Sequence, residues 1–225
     1  MNWKKEVALI TGASRGLGRA LSIELGVRGA RVVAVGRHAE GLAETVRDIQ
    51  AAGGWAVAIV ADIADLHAVY PLAARAAELA GAPTLLVNNA STLGAVPLRP
   101  WLETDCEDLA QVLETNLIGP FRLTKAIVGP MLIHGSGTIV NISSDAASIA
   151  YPNWGAYSVS KAALAHLTRT WSEELRDSPV KFVSFDPGEM DTTMHSDAVP
   201  EANRDDLSRP ADVARLLVEH LETLQ

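Results

Sequence analysis

Two patterns of apolar and polar positions alternate along the chain. Short, nearly continuous apolar runs, of the kind buried on both faces of a parallel sheet, occupy residues 7–10, 31–35, 55–60, 84–87, 138–142 and 180–185. Between them, apolar residues recur at threes and fours, the spacing of a helix with one buried stripe. These stretches run to about residue 28, then over 40–52, 66–79, about 107–132, 156–176 and 210–224. Gly29 and the Gly53-Gly54 pair stop two of them, and Pro210 suits a first helical turn, where its missing N–H costs nothing. Six strands alternating with helices predict a single α/β domain over residues 1–225, with helices on both faces of a parallel sheet. Right-handed crossovers favour a doubly wound, Rossmann-like order, 3-2-1-4-5-6.

Composition narrows the function. Of 225 residues 48% are apolar and 20% charged, an ordinary globular balance, and the net charge of −8 argues against a nucleic-acid or anionic membrane surface. An anionic ligand must therefore be met by local positive groups. Cys106 is the only cysteine, so no disulfide forms within the chain. The first apolar run stops at Thr11-Gly12, and no other approaches about 18 residues. A cytoplasmic protein is expected. The six histidines show no H-x-x-x-H spacing, and no catalytic metal is expected.

Three places carry candidate chemistry. T-G-A-S-R-G-L-G at 11–18 puts Gly12, Gly16 and Gly18 between a strand and a helix, where backbone can approach a phosphate and free helix N–H groups can bind it. Tyr157 and Lys161, four apart, share a helix face. An ammonium beside a phenol favours the phenolate and suits proton exchange with an alcohol or carbonyl oxygen, although such a pair also occurs as plain surface residues. Ser144 ends the run G-T-I-V-N-I-S, at a strand's carboxyl end, where α/β sheets place their ligands.

Taken together with N-N-A at 88–90, Asn116, N-I-S-S at 141–144 and Pro187-Gly188, these motifs resemble, in order and spacing, the short-chain dehydrogenase/reductase family over about residues 5–220. The resemblance implies NAD(P)-dependent hydride transfer with a tetrad of Asn116, Ser144, Tyr157 and Lys161. Tyr157 would be the general acid/base, Ser144 would hold the substrate oxygen, Lys161 would bind the nicotinamide ribose, and Asn116 would complete a proton relay through water. Pro120 adds a reason for the last role: it lacks the N–H that a helix would direct at the Asn116 carbonyl, so the helix should kink and leave that carbonyl free. The cofactor would rest on Gly12, Ser14, Arg15, Gly16, Leu17, Gly18, Arg37, Asp62, Ile63, Asn89, Ala90, Pro187, Gly188 and Thr192, besides Tyr157 and Lys161. Gly36 stands where an acid would accept from a ribose 2′-OH, and Arg37 and Arg15 suit a 2′-phosphate, so NADP is favoured over NAD. Both arginines could also be plain surface residues, and Asp62 could contact adenine or merely cap its loop.

Leu93, Ala146, Ile149, Tyr151, Trp154, Met190 and Met194 are expected to wall an apolar substrate pocket. Asp145, Glu189 and His195 either add specificity there or face water. Ser91 replaces the glycine usual after N-N-A, and would be strained if that site needed a positive φ. No seventh strand follows residue 224, which disfavours the family's tetramer and leaves a homodimer through the long helices. The expected activity is NADPH-linked reduction of a small to medium carbonyl compound or the reverse alcohol oxidation, loosely like the sepiapterin-reductase group. A non-catalytic NADP-binding protein, or an isomerase or dehydratase using the same Tyr/Lys pair, is the alternative.

Overall fold

The computed structural model describes residues 2–224. Its centre is a parallel sheet of six strands: β1 Val7–Thr11, β2 Arg31–Gly36, β3 Trp55–Val60, β4 Leu85–Asn88, β5 Gly137–Ile142 and β6 Val180–Phe185, in the order β3-β2-β1-β4-β5-β6. This is the expected topology, with the reversal of winding between β1 and β4.

The sheet's two faces follow from the alternation of side chains along each strand. Ala8, Ile10, Val32, Ala34, Leu85 and Val87 point to one face, where they meet α1 (Gly16–Val27), α2 (Ala39–Ala51) and the closing helix α8 (Pro210–Thr223). Val7, Leu9, Val33, Val35 and Leu86 point to the other, against α3 (Val69–Ala80) and α5 (Gly119–His134). Because both faces are covered, the inner strands β1 and β4 are buried at every residue, which is why they read as unbroken apolar runs. The edge strands β3 and β6 alternate instead between covered and exposed positions.

The predicted helix over 107–132 is not continuous. It runs as α4 (Cys106–Leu113), a π-helical turn (Glu114–Ile118) and then α5, which has Pro120 in its first turn. Pro120 cannot donate the i→i−4 bond, and the chain accommodates it by widening one turn rather than by a simple kink. Gly119 lets this turn pack close against the loop after β3, since a Cβ there would lie 2.5 Å from the Ile63 carbonyl oxygen. One further helix, α7 (Thr193–Ala198), lies in what reads from sequence as loop, and α6 spans Gly155–Glu174.

Candidate active site

The carboxyl ends of the strands open onto a cleft of about 1160 Å³. One end is floored by the glycine turn and the other by an apolar cluster of Leu93, Ala146 and Tyr157, with Leu98, Trp154, Met194 and Ala198 packed against it.

The glycine turn is held from below. The Thr11 hydroxyl accepts from the Asn89 and Ala90 amides, each at 3.0 Å, and donates to the Val87 carbonyl at 3.3 Å. The Asn89 side chain donates to the Thr11 carbonyl at 2.8 Å. Gly12, at φ +67°, lies so close that a Cβ would come within 2.8 Å of the Asn89 amide nitrogen. Asn89 therefore lines the cleft and also fixes the turn. Helix α1 then begins at Gly16 with no side-chain cap and no acid in its first turn, leaving its positive end for an anion. Ser14, Arg15, Leu17, Gly36, Arg37, Asp62, Ile63 and Ala90 line the same end. Arg37 is half exposed and only 3.7 Å from Asp62, while Asp62 also accepts from the Ala64 amide at 3.0 Å. The loop-cap role of Asp62 and its place beside the cleft thus coexist. These residues fit a dinucleotide: an uncapped helix start for the pyrophosphate and two arginines at the far end. Across the cleft, Pro187, Gly188 and Thr192 face the turn, the Thr192 methyl lying 3.5 Å from where a Gly16 Cβ would stand. The Thr192 hydroxyl caps α7 by accepting from the His195 amide at 3.2 Å.

Of the four candidate catalytic residues, Ser144, Tyr157 and Lys161 line the cleft, whereas Asn116 is buried outside its lining. Tyr157 and Lys161 leave the first turns of α6, both nearly enclosed, with the Lys161 Nζ 5.5 Å from the centre of the Tyr157 ring. Lys161 donates to the Ile142 carbonyl at 2.7 Å. Burial reverses the expected electrostatics. The Tyr157 phenol is pushed up to about 12, first by burial, with the Ser144 hydroxyl pulling the other way and the Asp186 and Asp145 carboxylates adding to the rise. The same burial brings the Lys161 ammonium down to about 8, against a smaller upward pull from Asp186. A single ammonium does not offset the loss of water around a phenolate, so in the free protein Tyr157 is held as an acid with its proton.

Asn116 lies in the π turn and is buried. Its Oδ1 accepts from the Thr92 amide at 2.8 Å and the Ser91 hydroxyl at 3.1 Å, while its Nδ2 donates to the Thr92 carbonyl at 2.9 Å and to the Ser160 hydroxyl at 3.0 Å. The side chain is thus spent on tying the loop after β4 to α6. Ser91 is unstrained, since Asn153 is the one non-glycine residue with positive φ among those described. Leu93, Ala146, Tyr151, Trp154, Met190 and Met194 line the cleft as expected. Ile149 does not: the turn over Asp145–Ala147 carries it outward, 51% exposed. Among the residues sequence reasoning passed over, Ser160 and Thr92 stand out as partners of Asn116; only their nearness to the motifs hints at it.

Comparison with known proteins agrees with this geometry. The short chain dehydrogenase family model matches residues 6–203. An uncharacterised oxidoreductase of Thermotoga maritima is 38% identical over 84% of this chain and 73% of its own length. A 3-oxoacyl-[acyl-carrier-protein] reductase of Synechocystis is 35% identical over 84% and 76%. Among solved structures, a metagenomic short-chain oxidoreductase in complex with NADP superposes with a TM-score of 0.84 at 32% identity, covering 98% of this chain and 91% of that one. The actinorhodin polyketide ketoreductase with NADPH reaches 0.89 at 29% identity, covering 96% and 90%. With its sheet order, its glycine turn and a sequence match over most of its length all in accord, the chain belongs to the short-chain dehydrogenase/reductase family of oxidoreductases.

Proposed function

We propose that the protein is an NADPH-dependent reductase of small to medium ketones, with Tyr157 as the proton donor. The observation that carries the reading is the position of a buried, protonated Tyr157 beside Lys161 and Ser144, at the apolar end of the cleft that begins at the glycine turn. The glycine turn and the start of α1 would bind the pyrophosphate, Arg15 and Arg37 a 2′-phosphate, Lys161 the nicotinamide ribose, and Thr192 with Pro187-Gly188 the nicotinamide end. When bound, that cofactor supplies the hydride for the carbonyl carbon. Ser144 and Tyr157 hold the carbonyl oxygen, and Tyr157 passes its proton to that oxygen as the negative charge develops. A phenol held above its ordinary range keeps that proton across neutral pH, which suits reduction. The apolar wall excludes water from the reacting atoms.

The assembly we propose is a homodimer through α5 and α6, supported by apolar residues their own sheet does not cover: Phe121 is 37% and Val159 46% exposed. Leu164 and Trp171 are not part of that surplus, because Leu164 is buried and Trp171 stacks on Phe182 at 5.7 Å. Among the described residues no helix is long and apolar enough to cross a membrane.

NADPH consumption with a panel of ketones tests the reading. Tyr157→Phe removes one oxygen and keeps the ring, so kcat should fall by about 10²–10⁴ while NADPH still binds. A Tyr157→Phe enzyme within about threefold of the original rate would show that the acid lies elsewhere.

A further inference from the structure

The substrate end of the cleft combines its apolar wall with several polar groups, and one corner of these holds the Ser144 hydroxyl. There the Ser144 hydroxyl donates to Asp145 Oδ1 at 2.9 Å, and the Ala146 amide donates to Ser144 Oγ at 3.2 Å and to Asp145 Oδ1 at 2.7 Å. The Tyr151 hydroxyl donates to the second oxygen, Asp145 Oδ2, at 2.6 Å. The Ser144 proton that a substrate carbonyl would need is therefore directed at a carboxylate. Turning it away leaves Asp145 Oδ1 with the Ala146 amide at 2.7 Å and, because Asp145 is exposed, with water.

The neighbouring cations do not take that proton's place. Lys161 is turned to the Ile142 carbonyl, and Arg204 places both arms on Asp191, with Nε–Oδ1 at 2.8 Å and Nη2–Oδ2 at 3.0 Å. Asp186 and Glu189 add further negative charge along the same end of the cleft, with His195 3.7 Å from Glu189. Once a substrate fills the cleft and displaces that water, the donor that releases Ser144 has to come with the substrate.

We propose that Asp145 is a specificity-determining residue, and that the ketone this enzyme reduces carries a hydrogen-bond donor, a hydroxyl or an ammonium, on the carbon next to its carbonyl. The inference rests on the carbonyl-reductase reading above. Two acceptors that share the Ser144 hydroxyl, each about 2.8 Å from it, lie within about 5 Å of one another, and a donor on the adjacent carbon spans that gap. The substrate hydroxyl or ammonium donates to Asp145 Oδ1, the Ser144 proton swings to the carbonyl oxygen, and Tyr157 keeps its own proton for the reaction. A ketone bearing a carboxylate at the same carbon meets Asp145 with like charge and is rejected.

The test compares three ketones of one carbon skeleton with NADPH: the α-hydroxy ketone, its methyl ether and the parent ketone. The unmodified enzyme should favour the hydroxy ketone in kcat/KM by at least about tenfold, the size expected of a hydrogen bond to a charged group. In Asp145→Ala that preference should collapse to within about threefold. NADPH affinity, read by fluorescence, should be the same in both proteins, which shows that the cleft has kept its form. Tyr151→Phe leaves the carboxylate in place and should keep the preference at tenfold or more. An unmodified enzyme that reduces all three ketones equally, or a preference that survives in Asp145→Ala, overturns this inference alone. Should none of the three consume NADPH, the reductase reading falls and this inference with it.

Discussion

Replacing Lys161 by Met should make the protein without cofactor more stable at neutral pH while abolishing efficient turnover. The side chain is 2% exposed, and its ammonium has the Ile142 carbonyl as hydrogen-bond partner, with Asp186 acting on it only from a distance. Burial lowers its pKa from the ordinary 10.5 to about 8. At about 1.4 kcal/mol per tenfold change in proton affinity, holding the charged form inside the fold costs roughly 3 kcal/mol below pH 8. Met matches the length, needs no solvation, and forfeits only the bond to the Ile142 carbonyl, about 1–2 kcal/mol. The net gain at pH 7 is about 1–2 kcal/mol. Between pH 8 and 10.5 the unfolded chain binds the proton that the folded one has released, so the stability of the unmodified protein rises with pH through that window. The advantage of Met should therefore shrink as pH rises from 8 towards 10. Above 10 the sign turns, because the Tyr157 phenol, raised to about 12, keeps its proton only in the folded state and withdraws stability from both proteins alike. Urea unfolding of both proteins at one concentration, at pH 7 and pH 10, measures the difference. A Met variant that is less stable at pH 7, or whose advantage does not change with pH, would refute the argument.

Three other outcomes are expected. Gly36→Asp with Arg37→Ala should turn a preference for NADPH of at least about tenfold in kcat/KM towards NADH, since charge-assisted bonds to a phosphate are lost and a ribose acceptor is gained; a Cβ at Gly36 meets Leu42 and Ser14 only at ordinary contact distances of 3.5 Å and 3.7 Å, so the pair should fold. Equal use of both cofactors by the unmodified protein would sink it. Ser144→Ala should lower kcat while leaving NADPH affinity intact, and a change in affinity instead would place Ser144 with the cofactor. Light scattering at micromolar concentration should give the mass of a dimer, and Val159→Glu with Phe121→Glu should give a monomer; a monomeric unmodified protein would mean that α5 and α6 serve their own sheet alone.

The sheet was legible in the sequence because burial on both faces leaves apolar runs that helices do not imitate over four to six residues. Val7, Leu9 and their neighbours need no tertiary information to be read as strand. Helix ends were less so. The pattern over 66–79 suggests a start at Leu66, yet α3 begins at Val69, because Asp65 draws the His67 amide into a turn at 2.8 Å and the Ala68 amide bonds its carbonyl at 3.1 Å. Helix α7 was missed, though Thr192 before a short mixed run is a capping signal in its own right. Motif spacing singled out Asn116, Ser144, Tyr157 and Lys161 as candidates, but not their electrostatics. The sequence brings Tyr157 and Lys161 together without showing that both are enclosed, and enclosure decides which of them holds its proton. Asp145 illustrates the same limit: adjacency to Ser144 is visible, the aim of the hydroxyl is not.

The hub at Thr11 has a mechanical consequence. Where the winding reverses, the carboxyl ends of β1 and β4 are bolted together by one hydroxyl and one amide side chain, so the floor of the cleft behaves as a single stiff plate. The opposite wall hangs differently: its root is closed by backbone bonds between Glu189, Asp191 and Ser208, at 2.9 Å and 3.1 Å, and the Arg204–Asp191 pair staples it from outside. The span from 191 to 208 is thus tied to the fold by fewer bonds than the plate beneath it, and an adjustment on filling the cleft is expected there first. Amide exchange should accordingly slow in α7 on adding NADPH and stay unchanged in β1 and β4.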